Sequence, residues 1–170
     1  MRSNFALCLS AGFLILACAV GQAQQAAGTN DHHADMNRRG EHVMGFSQDR
    51  ATHHFRLYDD GGAIEVEANQ ETDTSTRDQI RMHLSHIARM FADGNFRAPM
   101  LIHDQVPPGV PVLQRLRQKI NYRFVDTDRG GRIVITTSGP EALKALHEFL
   151  RFQIADHKTG DSVEVIPRPS

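Results

Sequence analysis

Apolar residues recur at every second position on both sides of a glycine pair, and this pattern occurs twice along the chain. The first stretch covers residues 53–68 around Gly61-Gly62, and the second covers residues 122–137 around Gly130-Gly131. Such alternation around Asp and Gly turn residues predicts a β-hairpin. When the glycine pairs are aligned, apolar positions of the two hairpins coincide, so the chain contains a pseudo-repeat. The matches are Phe55 with Phe124, Ile64 with Ile133 and Val66 with Ile135.

Each predicted hairpin is followed by a segment with helical periodicity. In the first, apolar residues fall three or four apart between Ile80 and Phe91. Ser75 is expected to cap this helix and Asp93-Gly94 to end it. The second helix begins at Pro140, whose position is typical of a first helical turn.

A hairpin followed by a helix has one apolar face, which the unit cannot bury alone. We therefore expect the two units to form a single α+β domain over residues 51–158. The predicted architecture is a two-layer sandwich, in which a four-stranded antiparallel sheet carries the helices on one face. Residues 159–170 would follow as a short C-terminal tail.

The N-terminal 23 residues have the pattern of a secretory signal peptide. Arg2 precedes an apolar run over residues 5–20, and small residues follow up to Ala23. Cleavage after Ala23 would deliver the domain to the periplasm or the exterior. An alternative is the lipobox-like stretch that ends at Cys18, where lipidation would anchor the protein to a membrane.

Residues 24–50 are polar and lack apolar periodicity, which predicts a flexible arm that carries His and Met. Cleavage after Ala23 would remove both cysteines, Cys8 and Cys18. The exported domain would then have no thiol for a disulfide, a nucleophile or a metal site. All ten histidines would stay.

The charge balance excludes one class of partner and the motifs disfavour most enzymes. With 19 Lys and Arg against 20 Asp and Glu, there is no basic field for nucleic acid. With no Trp and two Tyr, the chain also lacks aromatic platforms for stacking on bases. The sequence contains no Gly-x-Ser-x-Gly elbow, no Walker loop and no His-Glu-x-x-His pair. A non-catalytic role is therefore favoured.

Histidine and methionine lie close together on the first predicted helix. Met82, His83, His86 and Met90 follow one another around one flank of its apolar stripe, at spacings that make side chains neighbours. Thioether sulfur favours Cu(I), while imidazole also accepts Cu(II), zinc or nickel. The sequence predicts a metal site of His83, His86 and Met90. Met82 and His53, which shares the core face of the first strand, are candidates to complete it.

Two functions follow from these observations. The first is an exported, non-catalytic metal-binding protein that buffers copper, carries it or confers resistance to it. In this case the histidines and methionines of the arm would bind copper with low affinity. The second is a small exported interaction or ligand-binding domain whose histidines are incidental. In the second case the sheet, or the proline-rich loop over residues 98–111, would contact a periplasmic protein partner.

Two resemblances add a third function. Ser75-Thr76-Arg77 at a helix start resembles the loop with which aspartate and ornithine carbamoyltransferases bind carbamoyl phosphate, and a helix N-terminus suits an anion. From Met44-Gly45-Phe46 through His53-His54-Phe55 to the final helix, the chain resembles a group of short exported bacterial proteins of unassigned chemistry. A carbamoyltransferase label sometimes attaches to that group. The resemblance implies carbamoyl phosphate binding at residues 75–77.

Overall fold

Two β-hairpins and two long helices account for most of residues 34–169, which are the residues that the computed structural model describes. The predicted signal peptide and the start of the predicted arm lie outside this range. Within it, no helix is both long enough and apolar enough to cross a membrane. In chain order the elements are α1 over 34–44, β1 Ala51–Tyr58, β2 Gly61–Ala68, α2 Thr74–Ala92, α3 Arg97–His103, α4 Val110–Arg115, β3 Ile120–Asp126, β4 Gly130–Thr137, α5 Pro140–His157 and β5 Val165–Ile166.

The strands form an open mixed sheet in the order β3-β4-β2-β1-β5. Both hairpins are antiparallel, and so is the pairing of β2 with β4 that joins them. The two-residue strand β5 pairs with β1 in parallel. The predicted α+β class is confirmed. The predicted four-stranded antiparallel sheet describes β1 to β4 alone, because β5, which is too short to show alternation, comes from the predicted tail.

The glycine pairs begin β2 and β4 and do not form the hairpin turns. Asp59 and Asp60 make the first turn, and Gly61 already pairs with Thr136 across the central strands. A Cβ atom on Gly61 would lie 2.0 Å from the carbonyl oxygen of Ile135. A Cβ atom on Gly130 would lie 2.1 Å from the carbonyl oxygen of Val66. Glycine is therefore required where β2 and β4 approach each other, at equivalent points of the two repeats.

Each long helix binds backbone carbonyls at the turn of the other unit's hairpin. Arg81 on α2 donates to the carbonyl oxygens of Thr127 and Gly130, at 2.5 and 3.0 Å. His147 on α5 places Nε2 at 2.9 Å from the carbonyl oxygen of Tyr58 and 3.0 Å from that of Gly61. Because both neighbours are acceptors, this nitrogen is the donor. The predicted apolar stripe of α2 is buried against the sheet, at Ile80, Leu84, Ile87 and Phe91.

The structure differs from the expected flexible arm over residues 34–50. Residues 34–44 form a helix in which Met36, Gly40 and Met44 share one buried face at intervals of four. Phe46 follows them into the core and is 5% exposed. Two methionines and a glycine make a thin apolar stripe, which is why the periodicity is not apparent in the sequence. Met36 and Met44 pack in the core. Core packing therefore explains the presence of both methionines, and metal binding is not needed to explain it.

The predicted tail is held against the edge of the sheet by the carboxylate of Asp161, which is nearly buried. It accepts hydrogen bonds from the Phe55 backbone N–H at 2.8 Å and from Arg56 at 2.5 Å. His54 and Thr159 also contact it, at 3.0 and 2.8 Å. Burial raises the pKa of this carboxyl, but the hydrogen bonds and the Arg56 charge outweigh burial and hold its pKa below the usual value.

Substitution of Gly130 by alanine tests the close approach of the central strands. Gly130→Ala should lower the free energy of unfolding by about 1–3 kcal/mol, because the added methyl group collides with the Val66 carbonyl and the strands must separate. Gly139→Ala is the matched control, since the nearest atom to its Cβ would be 3.6 Å away. Urea unfolding of both variants measures the difference. Equal stabilities would contradict a steric requirement for glycine at residue 130.

Candidate functional site

A cavity of about 70 Å³ lies between α2, α5 and the sheet. Its wall is largely apolar and includes side chains of the core. Its polar side chains come from four separate elements: β1, α2, α3 and α5. These residues are His53, His83, His103, Gln153 and His157. The fold thus brings four histidines around one small apolar space.

His53 and His83 are half-buried and both contact the ring of Phe46. The ring centroids of Phe46 and His83 are 5.8 Å apart, and those of Phe46 and His53 are 6.4 Å apart. Burial, together with the proximity of His83 and His54, lowers the pKa of His53 to about 4. Burial, together with the proximity of His86, also lowers the pKa of His83 to about 4. Both rings are therefore neutral at neutral pH.

His103 is 2% exposed and has polar partners at both ring nitrogens. Its Nδ1 lies 2.5 Å from Oδ2 of Asp156, and its Nε2 lies 3.0 Å from Oε1 of Gln153. His157 packs between this group and β1, with ring centroids 5.0 Å from His103 and 5.5 Å from His53. His157 is stacked on His53 and meets His103 edge to face, so the three imidazoles are in continuous contact across the cavity.

A second pocket, of about 270 Å³, opens to solvent on the outer side of His83. We call it the rim pocket. His83, His86 and Met90 line it, together with Arg97 and residues of α1 and α3. His86 is exposed, while His83 and Met90 are half-buried. The i, i+3, i+7 spacing along α2 places these side chains on one flank of the helix, next to its buried stripe.

The five residues predicted for a metal site lie in three places. His83, His86 and Met90 line the rim pocket together. His53 lies on the other side of His83, in the cavity. Met82 is 71% exposed and lines neither space. Among residues 34–169 there is no group of three or more His, Cys, Asp or Glu side chains that could hold a metal ion. The rim pocket has two histidines, so any metal bound there needs the sulfur of Met90.

The predicted anion loop is located at the start of α2. The helix begins at Thr74 and its cap is Asp73, not Ser75. A side-chain oxygen of Asp73 accepts from the backbone N–H of Thr76 at 3.1 Å. Hydrogen bonds from the side chain and the backbone N–H of Thr76, together with the nearby Arg50, hold the pKa of Asp73 below its usual value. Arg77 forms an ion pair with Asp78 at 2.9 Å. A carboxylate thus occupies the position where a phosphate would bind.

Sequence reasoning missed the cavity because its polar residues are far apart in the chain. In the sequence, His103 lies three residues after Met100 and His157 lies at the end of the last predicted helix, and neither position points to a shared site. The residue type of Gln153, a glutamine, does not by itself indicate a functional site. One local pattern could have indicated the group: Gln153, Asp156 and His157 share a face of α5 at spacings of three and four, beside its apolar stripe.

The neutral state of the buried histidines predicts how stability depends on pH. In the unfolded chain His53 titrates near pH 6.5, whereas the fold keeps it neutral down to about pH 4. The unfolded state therefore binds more protons in this window, and the free energy of unfolding falls as the pH falls from about 6.5 to 4. His53→Gln should reduce this slope by up to about 1.4 kcal/mol per pH unit.

Urea unfolding between about pH 7 and pH 5.5 measures the slope, in a range above most of the titration of the carboxyl groups. His42→Gln is the control, because His42 is exposed on α1 and its removal should leave the slope unchanged. The assignment of a neutral, buried His53 is contradicted if His53→Gln and His42→Gln give the same slope.

Comparison with known proteins adds no assignment to this site. No protein-family model, no curated protein and no solved structure matches the chain. The resemblance to exported bacterial proteins and to carbamoyltransferases stays a prediction. The function of the cavity and of the rim pocket is therefore argued from their residues.

Proposed function

We propose that this protein is an exported, non-catalytic metal-binding protein that binds copper at the rim pocket, through His83, His86 and Met90. The observation that carries the proposal is that these three side chains line one solvent-accessible pocket. Export is supported by the signal-peptide pattern of the N-terminal residues. Buffering or carriage of the metal would need such an accessible site.

The donor set favours Cu(I) over zinc or nickel. Two imidazoles and a thioether are soft or intermediate ligands, and thioether sulfur selects Cu(I). The guanidinium of Arg97 lies at the same pocket and repels any cation. This repulsion is twice as large for a divalent ion as for a monovalent one, because Coulomb energy scales with charge. A monovalent copper ion is therefore the best match.

The neutral state of His83 also suits metal binding. A metal binds the neutral form of imidazole, so a protonated ring must first lose its proton. His83 is already neutral at neutral pH, since its pKa is about 4. The proposed shell does not include Met82, which is exposed, and it leaves His53 on the inner side of His83 as a packing neighbour.

Titration of the protein with Cu(I), in competition with a chromophoric Cu(I) chelator, tests the proposal. The double variant His83→Ala, His86→Ala should lose binding at the rim pocket. Met90→Leu should weaken binding at least tenfold, because it removes the sulfur and keeps the volume. Met82→Leu is the matched control on the same helix and should bind as the wild type does. Circular dichroism checks that each variant is folded.

A thermal melt separates this function from the alternative of an interaction domain with incidental histidines. An ion that binds only the native state must raise the melting temperature of the protein. We expect Cu(I) to raise it for the wild type and not for the double variant. Unchanged Cu(I) affinity in the double variant would show that Cu(I) does not bind at His83 and His86. Failure of any metal to raise the melting temperature would favour the interaction domain.

A further inference from the structure

The cavity behind His83 contains a buried amide group with an unused hydrogen-bonding capacity. Gln153 is 4% exposed and lines the cavity. Its Oε1 is paired with His103, whereas its Nε2 has no hydrogen-bond partner among the described residues. A buried polar group without a partner costs free energy, so a native structure normally supplies one. A molecule bound in the cavity would supply it.

The His103 and Asp156 pair holds the amide in place. Asp156 accepts from Nδ1 of His103, which fixes the imidazole so that Nε2 is directed at Gln153. In the imidazolium form, Nε2 of His103 donates to Oε1 of Gln153. In the neutral form that donates from Nδ1 to Asp156, Nε2 of His103 is an acceptor, so the amide must turn over and donate to it from Nε2, which leaves Oε1 without a partner. Each orientation leaves one amide group without a partner. A hydroxyl group complements both orientations, because it can donate and accept.

The size and lining of the cavity restrict the ligand further. Its volume of about 70 Å³ is roughly half that of a 150 Å³ apolar cavity that binds benzene. This volume admits roughly three to five non-hydrogen atoms. Most of the cavity wall is apolar and includes Ile64, Leu84 and Phe149. A charged ligand would be buried without a counter-charge on these walls, at a high cost.

We propose that this cavity is a binding site for a small neutral alcohol, whose hydroxyl group pairs with the amide of Gln153 and whose alkyl part contacts the apolar wall. Of the three proposed metal ligands, His86 and Met90 do not line the cavity, and Gln153 does not line the rim pocket. His83, Ile87 and Ala98 line both spaces and form the wall between them.

Two probes of equal length separate recognition of a hydroxyl group from simple filling of an apolar space. They are 1-propanol and 1-chloropropane, which share the alkyl chain and differ in the terminal group. Carbon-13 methyl NMR of the metal-free, full-length protein follows the Ile64, Leu84 and Ile87 methyl groups that line the cavity. We expect saturable shifts of these resonances with 1-propanol, and a shift of the Gln153 side-chain NH₂ resonances with 1-propanol alone.

The variant Gln153→Leu removes the amide and keeps a similar volume. The affinity for 1-propanol relative to 1-chloropropane should fall about tenfold, as expected for one buried hydrogen bond. Gln118→Leu is the control, because Gln118 is exposed and does not line the cavity. The ratio of the two affinities in this variant should equal that of the wild type. The affinities of all three proteins for both probes are measured at the same pH and without metal.

Three outcomes would overturn the proposal. The first is the absence of shifts with either probe up to about 100 mM, which would mean that water alone occupies the cavity. The second is an equal affinity ratio in the wild type and Gln153→Leu, which would mean that the hydroxyl group is not recognised. If Gln153→Leu does not fold, the Gln153 NH₂ resonances of the wild type decide. Their insensitivity to 1-propanol would be the third such outcome.

Discussion

The antiparallel pairing of β2 with β4 is the interaction on which the rest of the structure depends. It joins two hairpin–helix units that could not bury their apolar faces separately. Glycine at positions 61 and 130 permits the close approach of the two strands. The pairing is reinforced crosswise, because Arg81 of the first unit and His147 of the second each bind carbonyls at the other unit's hairpin turn. Both long helices are thereby held at defined positions over the sheet.

This placement of α2 gives one helix two different environments. Its apolar stripe faces the sheet, and the flank beside the stripe lies at the boundary between core and solvent. His83 is at this boundary, with the cavity on its inner side and the rim pocket on its outer side. Its burial keeps the imidazole neutral, which suits either coordination of a metal from outside or packing against Phe46 from inside. The proposed metal site and the proposed ligand site therefore share His83 as a wall, while the polar group assigned to the ligand, Gln153, belongs to the cavity alone.

Much of the fold could be predicted from local patterns. Alternation around Gly61-Gly62 and Gly130-Gly131 identified both hairpins, and the stripe from Ile80 to Phe91 identified α2, since these patterns reflect contacts between residues two to four positions apart. The exceptions have specific causes. Residues 34–44 are helical although their apolar stripe is thin. The cap of α2 is Asp73 and not the expected Ser75, because the carboxylate of Asp73 reaches the N–H of Thr76.

The sequence by itself determined the α+β class, the pseudo-repeat and the grouping of His83, His86 and Met90 on one helix flank, because each of these depends on spacing within a single element. The tertiary structure alone decided which histidines meet. His53, His103 and Gln153 are up to a hundred positions apart, and they share a cavity only because β1, α3 and α5 pack around α2. Local periodicity carries no information about such contacts, since they are set by the packing of whole elements.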